Sequence, residues 1–233
     1  ARKAEGPNAP TTAVFYSISN CQEGLKGISF GNFLIKQVVE ELARERPSLT
    51  TFVTLSPVPG FAHWLDRGLA DADESVVTAS ERAGLAGLGS PGWIDAPALE
   101  ARLKAPVLSI AARYLLTAKA ADGRPADSVA RFHLGNGARL ERINWRADRS
   151  PRGLDEAHGL MVNYRYDPKE IEANHEAYAN EGKVATARAV RSLLKAPERV
   201  PVTQRLLGSP GDAGKTAESP PAGTRPRPEP TRS

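Results

Sequence analysis

Three places in this chain carry residue types and spacings that could do chemistry. The segment CQEGLKGISFGNFLIKQVV, from Cys21 to Val39, sets Gly24, Gly27 and Gly31 between a β-branched run and an amphipathic stretch. Glycines at a helix start let backbone N–H groups approach a ligand, and the helix dipole adds about half a positive charge there. Lys26 adds a full charge beside those amides. Such a start would hold an anion, most simply a pyrophosphate, although the same pattern also serves as a tight turn before a packed helix. No Gly-Lys-Ser/Thr ends the segment and it does not fit Gly-x-Gly-x-x-Gly, so ATP and NAD are disfavoured. Ser56 follows an apolar run and is fixed by Pro57 and Pro59, which leaves a hydroxyl pointing from a strand end. A serine before proline also serves as a turn or helix cap. His133 stands in Phe-His-Leu-Gly-Asn-Gly, where a glycine-bearing turn could aim the ring into a cleft; a lone histidine is equally at home packed or solvated. Among the other histidines, His63 falls in a short helix, His158 in a loop and His175 among Glu172 and Glu176 on a solvated face. None has metal-ligand spacing and there is no cysteine pair, so no metal site is expected.

The elements that must position these residues follow from hydrophobic period. Thr12 to Ser19 reads as a strand and Asn20 to Ser29 as a polar loop. Leu34, Ile35, Val38, Val39 and Leu42 fall on one face of a helix from about Phe30 to Glu45, with Ser29 as its cap and Pro47 as its stop. Thr50 to Leu55 is the next strand, parallel to the first. Helical patterns follow at Gly60 to Arg67, Val76 to Ala86, Asp95 to Lys104 and Pro106 to Lys119. Ala138 to Ala147 and Leu160 to Tyr166 return to strand, and Asp167 to Asn180 and Val184 to Leu194 to helix. The fold class expected is α/β or α+β, a mixed sheet flanked by helices.

Composition bounds the partners. With 40% hydrophobic and 25% charged residues, the 233-residue chain can build one sizeable core. No apolar run approaches the roughly 18 residues of a spanning helix, and the start carries no apolar signal stretch, so no membrane is expected and a cytoplasmic site is. The one cysteine, Cys21, rules out a disulfide within the chain. Of the formal charge of +4, half lies beyond residue 195, where six basic residues meet four acidic ones. The remaining excess is mild and interspersed, unlike the dense basic face of a nucleic-acid binder, and suits a small anionic ligand. Residues 1–11 read as a flexible start, 12–195 as one domain, and 196–233 as a Pro-rich disordered tail, its composition clearest from 208 onward.

Four blocks in order resemble the malonyl-CoA decarboxylase family: FYSISNCQEGLKGISFGNFLIKQV (15–38), TLSPVPGF (54–61), ARFHLGNGARLERINWRAD (130–148) and GLMVNYRYD (159–167). The resemblance runs from about Thr12 to Leu194. It implies a GNAT-type acetyltransferase-like fold whose fourth strand matches Thr12 to Ser19, with earlier strands and a helical domain missing. It places the acyl-CoA-binding stretch on Lys26, Gly27, Ile28, Ser29, Phe30, Gly31 and Asn32, on top of the anion site read from the glycines. No resident cofactor is implied, since coenzyme A is part of the substrate.

By the same resemblance Ser56 binds the malonyl group and is the proton acceptor, and His133 is the proton donor. Loss of CO2 leaves a thioester enolate, which needs its oxygen stabilised and its α-carbon protonated; an imidazole with an unperturbed pKa of about 6.5 suits the second task. Asn163 and Tyr166 would stand behind the site. Malonyl-CoA is the partner implied, and a homo-oligomer is compatible with the reading. An N-acetyltransferase using acetyl-CoA and a noncatalytic acyl-CoA-binding module are the alternatives. A serine hydrolase fits less well, because Leu-Ser-Pro-Val-Pro lacks the Gly-x-Ser-x-Gly elbow.

Overall fold

The computed structural model describes residues 9–16 and 31–194, all within the compact unit Ala1–Pro197. The last residues of the expected first strand, the expected loop Asn20 to Ser29 and Phe30, and with them Lys26 to Phe30 of the acyl-CoA-binding stretch, lie outside the described residues, as does the expected tail; Gly31 and Asn32 are described in backbone only.

A four-stranded sheet organises the fold in the order β1-β2-β4-β3 (β1 Thr12–Tyr16, β2 Thr51–Pro57, β3 Arg139–Asn144, β4 Met161–Arg165). β1 and β2 are parallel, as a β-α-β unit requires, with α1 (Gly31–Glu45) between them in sequence. β4 runs antiparallel to both β2 and β3, and the β3–β4 ladder shifts register between Leu140 and Arg142. Strand alternation decides what reaches the interior: in β2, Phe52, Thr54 and Ser56 are buried while Thr51, Val53 and Leu55 are half-buried. Val162 and Tyr164 of β4 and Leu140 of β3 join the same core.

Helices α2 (Phe61–Ala70), α3 (Ala79–Gly84), α4 (Pro97–Thr117), α5 (Ser128–Gly135), α6 (Pro151–Ala157), α7 (Ile171–Glu181) and α8 (Arg188–Ser192) complete the described fold. Two differences from the sequence expectation have physical causes. Pro106 was expected to divide two helices, but α4 runs through it as one of 21 residues. Proline removes one intrahelical bond, yet Leu103, Val107 and Ile110 on either side are fully buried, and that burial outweighs the lost bond. The second difference is α5. Asp127 caps it, its carboxylate accepting from Ala130 N–H at 2.8 Å, and Ala130, His133 and Leu134 form its buried face. His133 therefore sits on a helix, and the Gly-Asn-Gly that follows is the end of that helix.

Among the described residues, no helix is long and apolar enough to cross a membrane. Nor is any group of three His, Cys, Asp or Glu side chains placed to hold a metal ion.

Candidate active site

The sheet and α5 bring Ser56 and His133 together. Ser56 is the last inward-facing residue of β2 and His133 lies on the buried face of α5; they are 4% and 2% exposed. Ser56 Oγ lies 3.1 Å from His133 Nε2. On the other side of the ring, His133 Nδ1 lies 2.8 Å from the Tyr166 hydroxyl. The Tyr164 ring stacks on the imidazole, with centroids 4.6 Å apart at 23°, and Phe132 meets it edge-on. Serine, histidine and tyrosine thus form one buried file, from the sheet through the helix to the residue just past β4.

Burial sets the protonation states. With no anion beside it, desolvation pushes the His133 imidazole down to about 4, so the ring is neutral at neutral pH. Desolvation also raises the Tyr166 phenol well above its ordinary value and keeps it a neutral O–H. Burial thus takes the His133 imidazole below its unperturbed 6.5, and at neutral pH it is a neutral ring with a single N–H.

A second file stands behind Ser56. Ser56 Oγ donates to Thr54 Oγ1 at 2.9 Å, and Tyr164 N–H donates to the same oxygen at 3.1 Å. Asn163 Nδ2 donates to the Thr54 carbonyl at 2.5 Å, and Asn144 Nδ2 donates to Asn163 Oδ1 at 2.8 Å. Of the two residues expected behind the site, Tyr166 touches the imidazole directly and Asn163 reaches Ser56 only through Thr54. Thr54 was missed, because only its strand position, two residues from Ser56 on the same face, could have signalled it.

The remaining histidines stay apart from the pair. His175 is exposed as expected, but its Nδ1 is 2.7 Å from the Gly135 carbonyl and so ties α7 to the end of α5. His158 is the left-handed C-cap of α6, and its Nε2 is buried with no hydrogen-bond partner. Beside Ser56, its neighbours Leu55 and Pro57 line a cavity of about 350 Å³ at the ends of β1, β2 and β4, with Tyr16, Arg152 and Met161 among its other walls. The first turn of α1 carries no acidic residue, which leaves the positive end of its dipole uncompensated within the helix.

The model of the malonyl-CoA decarboxylase C-terminal domain matches residues 1–203. The chain belongs to the malonyl-CoA decarboxylase family. It is 38% identical over 202 residues to the mitochondrial malonyl-CoA decarboxylase of Anser anser anser, covering 79% of this chain and 40% of that protein. The Mus musculus counterpart is 38% identical over 210 residues, covering 82% and 42%. Among solved structures, the malonyl-CoA decarboxylase of Rhodopseudomonas palustris superposes with a TM-score of 0.75 at 61% identity, covering 78% of this chain and 42% of that one. That of Agrobacterium vitis superposes with a TM-score of 0.77 at 52% identity, covering 84% and 48%. The chain thus spans about two fifths of the length of the curated malonyl-CoA decarboxylases it matches.

Proposed function

We propose that this chain carries the decarboxylating centre of a malonyl-CoA decarboxylase, with Ser56 and His133 as its catalytic residues. The observation that carries the reading is the 3.1 Å contact between the buried side chains Ser56 Oγ and His133 Nε2. The pyrophosphate of coenzyme A rests on the stretch Lys26 to Asn32. Ser56 holds the malonyl head or the thioester oxygen. The bond from the α-carbon to the carboxylate breaks, its electron pair passes to the thioester carbonyl, and CO2 leaves. The enolate oxygen is stabilised by a fixed hydroxyl in a desolvated site, where one such donor is worth on the order of 10²- to 10³-fold in rate. His133 then delivers its Nε2 proton to the α-carbon, giving the acetyl thioester, while the Tyr166 O–H passes its proton to Nδ1 so that the ring stays neutral; the phenol regains its proton from solvent as the site reopens. The thioester itself takes up the electrons, so the reading includes no resident cofactor.

The family membership and the buried pair support this reading together. Its test is release of CO2 from carboxyl-labelled malonyl-CoA with no acceptor amine present, measured for this chain and for the same residues within a chain of its relatives' length. Acetyl-CoA and CO2 in equal amounts are expected. Coenzyme binding without turnover in both would leave a noncatalytic acyl-CoA-binding module, and turnover only of acetyl-CoA with an amine would leave an acetyltransferase.

A further inference from the structure

Thr54 is fully buried and takes part in two networks at once. Its hydroxyl oxygen accepts from both Ser56 Oγ and Tyr164 N–H, while its carbonyl is held from below by Asn163, itself held by Asn144. A hydroxyl has one proton. Ser56 spends that proton on Thr54, so it turns only lone pairs toward His133, and the 3.1 Å contact can be filled only by an N–H on Nε2. A neutral imidazole has a single N–H, which leaves Nδ1 bare to accept the Tyr166 O–H at 2.8 Å. Every hydrogen bond then points the same way, from Tyr166 to His133 to Ser56 to Thr54.

We propose that Thr54 is a positioning residue that, before substrate binds, keeps the Ser56 proton away from His133 and thereby holds the imidazole as the Nε2–H tautomer, the form with its proton on the nitrogen that faces Ser56; when the thioester binds, the Ser56 hydroxyl turns that proton from Thr54 to the thioester oxygen and still offers none to Nε2. This deepens the decarboxylase reading and rests on it for its consequence in catalysis. The tautomer places the transferable proton beside the atom that holds the substrate. It also denies Ser56 a base: an Nε2 that already carries a proton cannot take one from the serine, so the hydroxyl is a hydrogen-bonding group and not a nucleophile. A Ser–His contact that would mark a hydrolase elsewhere is turned here toward proton delivery. Asn163 and Asn144 serve the same end by fixing the Thr54 backbone, and the Tyr164 ring prevents the imidazole from tilting.

The test reads the tautomer directly. Nitrogen-15 spectra of the substrate-free chain distinguish a protonated from a bare ring nitrogen, and His133→Gln identifies which of the four histidines is which. In the unmodified chain His133 is expected to carry its proton on Nε2. In Thr54→Val, which keeps the shape and loses the hydroxyl oxygen, the proton should move to Nδ1 in a measurable fraction of molecules; Thr54→Ser should restore it. A proton on Nδ1 in the unmodified chain would overturn the proposal, as would a Thr54→Val spectrum identical to it. Should Thr54→Val fail to fold, the unmodified chain and Thr54→Ser still decide, since both must show Nε2–H. With malonyl-CoA, Thr54→Val should lower kcat on the order of 10²-fold, the low end for a misdirected general acid, with KM little changed and kcat recovered in Thr54→Ser. The Nε2 proton in place but no CO2 release, from this chain or from the same residues within a chain of its relatives' length, would contradict the decarboxylase reading and leave the role of Thr54 in setting the tautomer standing.

Discussion

Ser56 and His133 are 77 positions apart in the chain, yet their side chains meet at 3.1 Å because β2 ends where the buried face of α5 passes over it. Neither is positioned by its own neighbours alone. Ser56 is set by the strand and by Thr54, and His133 by the cap at Asp127, the stacked Tyr164 and the Tyr166 hydroxyl.

The division of labour gives the first expectation. His133→Ala should lower turnover roughly 10²- to 10⁴-fold and Ser56→Ala on the order of 10²- to 10³-fold, with coenzyme affinity by calorimetry nearly intact. The losses should not multiply in the double variant, because both residues act on one intermediate. Multiplying losses would place them in separate steps.

Burial of the imidazole also makes stability depend on pH. Because the folded His133 pKa, about 4, lies below the unfolded value of about 6.5, the unfolded chain binds a proton that the folded chain refuses between those two points. Its contribution is fully present above pH 6.5 and is lost as the pH falls toward 4, by on the order of 3 kcal/mol. Denaturation of the unmodified chain and of His133→Gln at pH 7 and pH 4 checks this. The unmodified chain should lose more than the variant by about that amount, and equal losses would mean the ring is not desolvated.

Gly137 ends the turn after α5 in a left-handed conformation, φ 77°, and a Cβ there would come within 2.1 Å of the Ile171 carbonyl oxygen. Gly137→Ala therefore combines backbone strain with a backbone clash, and should cost about 2 kcal/mol or more in urea unfolding. The Gly135 carbonyl bonded to His175 and the Gly137 carbonyl bonded to Asn174 should loosen with it, so activity per folded molecule should fall as well. A variant as stable as its parent would show that α7 can move aside.

At the sheet edge, β1 pairs only with β2 among the described residues, and Val14 and Tyr16 are 50% and 74% exposed, with Leu34 and Val38 of α1 also exposed. An open strand with apolar side chains is a template for pairing. This chain alone should associate with rising concentration in sedimentation experiments, and Val14→Lys should reduce that association without altering the Ser56–His133 pair. Association unchanged by the lysine would locate the contact elsewhere.

The parts of the fold legible in the sequence were those with strong local periodicity. β2 and α1 announced themselves by alternation and by the spacing Leu34, Ile35, Val38, Val39, Leu42. α5 did not, because it has only two turns; its signals were Asp127 at the start, which went unread, and Gly137 beyond the end, which was read as part of a turn. Pro106 misled for the opposite reason, since a local rule was overridden by burial across α4. Ser56, His133 and Tyr166 could be named from the blocks they occupy, but their mutual distances depend on the β2–β4 register. Thr54 and Asn144 carry no local mark at all. Only the pairing of β2, β4 and β3 shows that they stand behind the serine.

The most direct measurement of the central claim is product analysis of malonyl-CoA turnover in heavy water by mass spectrometry, with the protein quenched and digested alongside. One CO2 for each acetyl-CoA is expected, with a single deuterium on its methyl group, loss of that turnover in His133→Ala, and an unmodified Ser56 peptide. Free coenzyme A with malonate, or a malonylated or acetylated Ser56, would contradict it.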